Sequence, residues 1–235
     1  MVTHFASLVA AAAVWGFMHI GISGTPLRAR LVALLGAGPY RGLFSLGSAA
    51  GLFWLARSFG ASGPGAVLWQ LPPWATLACM LLMLPALLLF VGALTTPNPT
   101  MIAGERALAA AEPARGILRV TRHPMLCSFV AWSAVHILAN GTLAGLVFFG
   151  TFGLVALAGM PSIDRKRAQT DPAGWAPFAQ RSSILPFAAI AQGRNRFVFG
   201  EIGLWRVALA AAAWFGLIAL HPLLFHVSPG ALLHR

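Results

Sequence analysis

Acidic residues are nearly missing from this chain: of 235 residues only 5 are Asp or Glu, against 16 Lys and Arg, and charged residues reach just 9%. A water-exposed globular domain carries about a quarter of its residues as charges, so a soluble fold is excluded. Cysteine is equally sparse. Cys79 and Cys127 lie in or beside apolar stretches with no CxxC spacing, which indicates neither a disulfide framework nor a zinc site and makes both buried free thiols. There is no internal repeat and no low-complexity tract. The first apolar stretch lacks a basic n-region and a small-residue cleavage site before Trp15 and His19, so it is expected to persist as a helix. What abounds is apolar residues, 58% of the chain, with a mean hydropathy of +0.79. The expected class is an all-α, polytopic membrane helix bundle forming one domain over 1–235.

Six stretches are long enough, or nearly so, to cross a hydrocarbon core of about 30 Å, which takes about 20 helical residues. They fall near 3–22, 41–58, 73–94, 124–139, 142–160 and 202–225, the fourth being short. Only Asn140-Gly141-Thr142 separates the fourth from the fifth, which predicts a tight helical hairpin using Asn-Gly to reach positive φ. The linkers 24–42, 95–123 and 161–201 hold thirteen Lys and Arg residues, whereas 59–72 and 140–142 hold none. The positive-inside rule then puts the three basic linkers in the cytoplasm and both termini outside. The same bias, with anionic lipid headgroups as partners, explains the net charge of +11 without nucleic acid. The sequence specifies no oligomeric state.

Ionisable groups in or near a bilayer are costly and usually functional. His19 stands near the inner end of the first span in Trp15-Gly16-Phe17-Met18-His19-Ile20-Gly21, where the glycines admit a flat ligand or a neighbouring helix. The alternative is an interfacial histidine bonded to a backbone carbonyl. Arg119-Val120-Thr121-Arg122-His123-Pro124 opens the fourth span with proline in its first turn, and Arg119, Arg122 and His123 make a basic helix start suited to a carboxylate or phosphate. Alternatively they form a basic rim against lipid phosphate. His136 lies inside the fourth span, as a haem ligand or the donor of an interhelical hydrogen bond. His221 is similar but nearer the outer surface, and His4, His226 and His234 are terminal. Asp164 pairs with a basic neighbour, or with Arg119 or Arg122, locking the site. The aromatic stretch 174–191 reads as an interfacial segment rather than a seventh crossing.

Several groups of residues together resemble the NnrU family, which includes the zeta-carotene isomerase of plants and cyanobacteria. They are His19 through Gly24, Pro39-Tyr40-Arg41-Gly42-Leu43-Phe44, Gly116 through Pro124, His136 through Gly141, Ile163-Asp164-Arg165, Arg181 through Ile190, and His221-Pro222. The resemblance implies a haem b protein of the bacterial inner membrane, with His19 and His136 as iron ligands. It also implies cis-trans isomerisation of a polyene such as tri-cis-zeta-carotene with ferrous iron, or a non-enzymatic redox or nitric oxide sensor supporting nitrite and nitric oxide reduction in denitrification. On that reading Arg119, Arg122, His123 and Asp164 position a haem propionate or close the cytoplasmic entrance.

Ser133 stands where the isomerases have a cysteine, and Met125 replaces the glutamine after Arg-His-Pro, which bears on ligand exchange and carotenoid specificity. Depth raises a further question, because His136 is 13 residues, about 20 Å of helix, beyond His123, whereas His19 is near the inner surface; depth alone pairs His19 with His123. Arg-His-Pro before a hairpin also resembles the isoprenylcysteine carboxyl methyltransferases, but Leu126 occupies the region of their tyrosine and Ser162-Ile163-Asp164 their acidic segment. S-adenosylmethionine chemistry is therefore the weaker alternative.

Overall fold

A computed structural model describes residues 2–229, the side chain of Val2 excepted; His234 lies outside them. The elements are α1 (Val2–Phe17), continued by a π turn (Met18–Ile22), α2 (Leu27–Leu35), α3 (Ala37–Ser62), α4 (Pro73–Thr95), α5 (Ile117–Val120), α6 (Pro124–Asn140), α7 (Leu143–Thr170), α8 (Pro172–Arg181), α9 (Ala188–Ala191), α10 (Phe199–Ile202) and α11 (Leu204–Phe225). No strand occurs among the described residues beyond an isolated bridge between Val67 and Thr142. The protein is an all-α membrane bundle, and every expected span is a helix. Four stretches, Thr3–Ile22, Pro73–Thr95, Leu143–Thr170 and Leu204–Phe225, are long and apolar enough to cross a bilayer. α6 has 17 residues, about 25 Å at 1.5 Å each, and α3 is long enough but interrupted by Gly, Ser and Arg57. Leu46, Phe53, Trp74, Leu204 and Phe215 all keep more than half of their surface exposed, the apolar skin that lipid covers.

The chain forms two compact units. The first comprises residues up to Leu71 with Ser133–Ser162. Its core is Leu8, Ala11 and Trp15 of α1, Leu55 of α3 and Ala144 of α7, with Phe59, Phe148 and Phe152 against them. The α6–α7 turn belongs to it. Gly141 has φ +58°, and a Cβ there would stand 2.0 Å from the Trp69 carbonyl oxygen, whose own amide and that of Leu68 donate to the Gly141 carbonyl. Only glycine fits, as the Asn-Gly pair predicted.

The second unit comprises Pro72–Trp132 and the chain from Ile163 onward. α4 and α11 pack together, with Trp214 Nε1 donating to the Met80 carbonyl at 2.7 Å. α8 begins at Asp171, whose carboxylate accepts from the Gly174 amide, with Pro172 in the first turn, an N-cap made from local sequence. The stretch 174–191 makes no seventh crossing. Two of its three large aromatics, Trp175 and Phe178, are buried with Leu108, Ile117 and Leu118, whereas Phe187 stays half exposed. Sequence shows how apolar α8 is, and packing decides what covers it.

Candidate functional site

The Arg-His-Pro segment lies in the second unit as an extended bend between α5 and α6. The Val120 carbonyl accepts from the Phe187 amide at 2.8 Å, and the Arg122 amide donates to the Ser183 carbonyl at 2.9 Å. Thr121 donates its hydroxyl to the Ile184 carbonyl at 2.8 Å, and Thr100 donates to the Arg122 carbonyl at 2.8 Å. So held, Arg122 reaches Asp164 of α7 through Nε at 2.9 Å and Nη2 at 2.6 Å, and its Nη1 reaches the Ser182 carbonyl at 3.2 Å. His123, 1% exposed, brings Nε2 to the other Asp164 oxygen at 2.7 Å. Facing a carboxylate, Nε2 carries the proton and donates; Nδ1 is buried without a partner.

Arg119 is also enclosed, at 2% exposure. Its Nε and Nη2 grip both Glu201 oxygens at 2.8 Å, Nη2 also reaches Glu112 at 2.9 Å, and Nη1 donates to Asn195. The Gly116 amide donates to Glu201 at 2.6 Å. The hydrogen bonds from Arg119 hold the Glu201 carboxyl down at about 2 against the opposing effect of burial, with the Gly116 amide and the charges of Arg119 and Arg115 adding to them. Glu105 is held below the usual carboxylate range chiefly by its bond from Arg167.

The anion cradle expected at Arg119, Arg122 and His123 is therefore filled by the protein's own carboxylates. Asp164 pairs with Arg122 and His123, and not with Arg119. The physical reason is geometric: bidentate guanidinium–carboxylate pairs use the donors an incoming anion would need. Glu201, Glu112 and Asn195 were missed in the sequence. A signal existed, since a buried arginine must find a carboxylate and this chain has only five.

The first unit holds the other two candidates. His19 sits in the π turn Met18–Ile22, a helix irregularity common at functional sites. Its Nδ1 meets the Trp15 carbonyl at 2.9 Å and its Nε2 the Ser48 hydroxyl at 3.3 Å; Trp15 Nε1 donates to the Ser48 carbonyl at 3.2 Å. Its ring lies 4.1 Å from that of Trp15 and 5.4 Å from that of Phe44. His136 is half-buried, its ring 4.9 Å from Phe149. Phe149 is three residues before Phe152 on α7, Phe152 packs on Trp15 at 5.0 Å, and His19 is one turn beyond Trp15. The two histidines thus lie in the same unit, His136 against a ring of α7 and His19 against Trp15. His123, the substitute on depth, has its Nε2 bonded to Asp164 in the other unit. His221 Nδ1 meets the Val227 carbonyl at 2.8 Å, and His226 ends α11 at φ +58°. Cys79 and Cys127 are buried and free.

An apolar groove of about 330 Å³ runs along the same unit. It is lined by Ala12, Gly16 and Phe17 of α1, Ile20 of the π turn, and Val147 and Leu154 of α7, among others.

The family model described as NnrU protein matches residues 7–229. This chain belongs to the NnrU family. Two curated proteins are similar to it, each called "15-cis-zeta-carotene isomerase, chloroplastic". That of Arabidopsis thaliana is 34% identical over 82 residues, 34% of this chain and 22% of the relative. That of Zea mays is 32% identical over 83 residues, again 34% and 22%. The chain thus spans about a fifth of the length of the relatives it matches. No solved structure matches.

Proposed function

We propose that this NnrU-family chain binds haem b between His19 and His136 and catalyses cis-trans isomerisation of a polyene such as tri-cis-zeta-carotene in the bacterial inner membrane. Its three basic linkers lie in the cytoplasm and both termini outside. One observation carries the reading. A ligating histidine fixes its ring by donating from one nitrogen to a carbonyl or carboxylate, leaving the other lone pair for the metal. His19 has this form: Nδ1 at the Trp15 carbonyl, Nε2 facing only a serine hydroxyl. His136 supplies a second imidazole from the same unit, with Phe149 beneath it. Both side chains are imidazoles, the ligand type that haem iron takes.

Ferrous haem supplies polarizable electron density able to lower the order of a double bond. The chain supplies placement. Trp15 and Phe44 fix the His19 plane, and the weak 3.3 Å contact from the Ser48 hydroxyl occupies the Nε2 lone pair that iron would take in its place. The apolar groove between α1 and α7 is a lane for a hydrocarbon chain, with Gly16 keeping it open beside Thr151. Arg119, Arg122, His123 and Asp164 brace the segment leading into α6, and so the orientation of that helix. A second reading uses the same pair of histidines in a redox or nitric oxide sensor or accessory protein for denitrification. In its favour, the family match covers nearly the whole chain and the isomerase match a third of it.

The test is the absorption spectrum of detergent-purified protein, oxidised and then dithionite-reduced, for wild type, His19→Ala, His136→Ala and His123→Ala. The expected result is a Soret band with sharp reduced α and β bands, lost in the first two variants and kept in the third. Haem-supplemented wild type without a Soret band refutes the proposal and directs attention to S-adenosylmethionine. Turnover of tri-cis-zeta-carotene by reduced but not oxidised protein separates isomerase from sensor.

A further inference from the structure

If haem sits at His19, its two propionates need donors, and the basic residues of the Arg-His-Pro segment are taken by internal carboxylates. We propose that Tyr40 and Arg28 form the propionate seat; the inference rests on the haem reading above. Tyr40 is 6% exposed, and its hydroxyl is buried without a hydrogen-bond partner. A buried, unsatisfied donor is expensive, and native structures rarely keep one without a ligand, ion or water to meet it. Tyr40 lies in the first turn of α3, which Gly36 starts at φ +84°, and its amide donates to the Gly36 carbonyl at 3.1 Å.

Beside it, the Arg28 guanidinium of α2 stands 5.8 Å from the Tyr40 ring centroid. The unit containing both has no Asp or Glu at all. This distinguishes Arg28 from Arg119, Arg122 and Arg167, each of which has a carboxylate. A half-buried guanidinium and a buried hydroxyl with no acid to receive them are complementary to a carboxylate from outside the chain.

Placement agrees. Tyr40 stacks on Phe44 at 5.9 Å, and Phe44 meets the His19 ring edge-on at 5.4 Å, so Tyr40 is two ring contacts from the proposed ligand and Arg28 one contact beyond it. They stand where α1 and α3 leave their apolar stretches, the depth at which the charged edge of an otherwise apolar macrocycle belongs. The segment Pro39–Phe44 thereby gains a role: Tyr40 binds the carboxylate and Phe44 walls the ring.

The experiment titrates full-length protein, purified from haem-limited cells in detergent, with haem and with haem dimethyl ester, whose propionates are blocked, following the Soret band. Wild type should bind haem roughly tenfold or more tighter than the ester. In Arg28→Gln, Tyr40→Phe and the double variant that preference should fall to within about threefold, while affinity for the ester stays at the wild-type level, which also shows that the variants are folded. A preference that survives in all three variants overturns the assignment. So does a survival accompanied by loss of co-purifying phosphatidylglycerol in Arg28→Gln, which makes the anion a lipid headgroup. Wild type that binds neither compound overturns the haem reading itself, and this inference with it.

Discussion

Glu201→Gln tests whether the buried charge cluster holds the segment before α6 in place. The Arg119 side chain is 3% exposed and that of Glu201 22%, and the Glu201 carboxyl is lowered from an ordinary 4.5 to about 2. At about 1.4 kcal/mol per unit, that shift corresponds to roughly 3 kcal/mol. Partial solvent screening of Glu201, and the remaining Arg119–Glu112 contact, whose acid is 45% exposed, reduce the expected loss to about 2 kcal/mol. For a chain of this size each kcal/mol moves the melting midpoint by about 2–4 °C, so the variant should melt about 4–8 °C lower at pH 7. The sign follows from the lowered carboxyl: its contribution is full above 4.5 and is lost as pH falls from 4.5 toward 2. The gap between wild type and variant should therefore shrink to less than half by about pH 3. Far-UV circular dichroism in detergent gives the melting curves, and at pH 7 a thiol-reactive dye adds a second probe through the buried Cys79 and Cys127. As control, Glu105→Gln removes a pair whose acid is 58% exposed and should cost less than about 1 kcal/mol. Coincident melts of Glu201→Gln and wild type at pH 7, or a gap unchanged by acid, would refute the reasoning.

Asp164→Asn removes the carboxylate shared by Arg122 and His123; leaving the Arg122 guanidinium, 14% exposed, without its acid should cost about 2–3 kcal/mol, below the range for a fully buried pair, read as a lower melting midpoint and poorer yield of folded protein. Gly141→Ala must take a left-handed backbone and place a Cβ 2.0 Å from the Trp69 oxygen, so the α6–α7 turn should open and limited proteolysis should cut near residue 141. Phe178→Ala empties a fully buried site and should cost about 3–5 kcal/mol, measured by the same melts; an unchanged midpoint would mean that α8 lies on the surface after all.

The spans were legible because hydrocarbon imposes a length and excludes charge, and those constraints act locally along the sequence. The Asn140-Gly141 turn was equally plain, since a three-residue link between two helices forces a conformation that glycine supplies. Hydrophobicity alone could not tell α8 from a lipid anchor: Trp175 and Phe178 are as apolar against protein as against lipid. Nor could it distinguish a free arginine from a paired one. Arg28 and Arg119 both stand in basic linkers, yet one has no carboxylate in its unit and the other has two against it.

By itself, then, the sequence determined the class, the six long apolar helices, the hairpin and the family, all of which depend on composition, periodicity or short linear patterns. The tertiary structure decided which charges are satisfied. Asp164 meets Arg122 and His123 across 42 and 41 positions of chain, and Glu201 meets Arg119 across 82. It also set His19 against Trp15 and Ser48, and left the Tyr40 hydroxyl buried without a partner. Ionic and hydrogen-bond pairing depends on distances of about 3 Å between groups far apart in the chain, and no linear pattern carries that information.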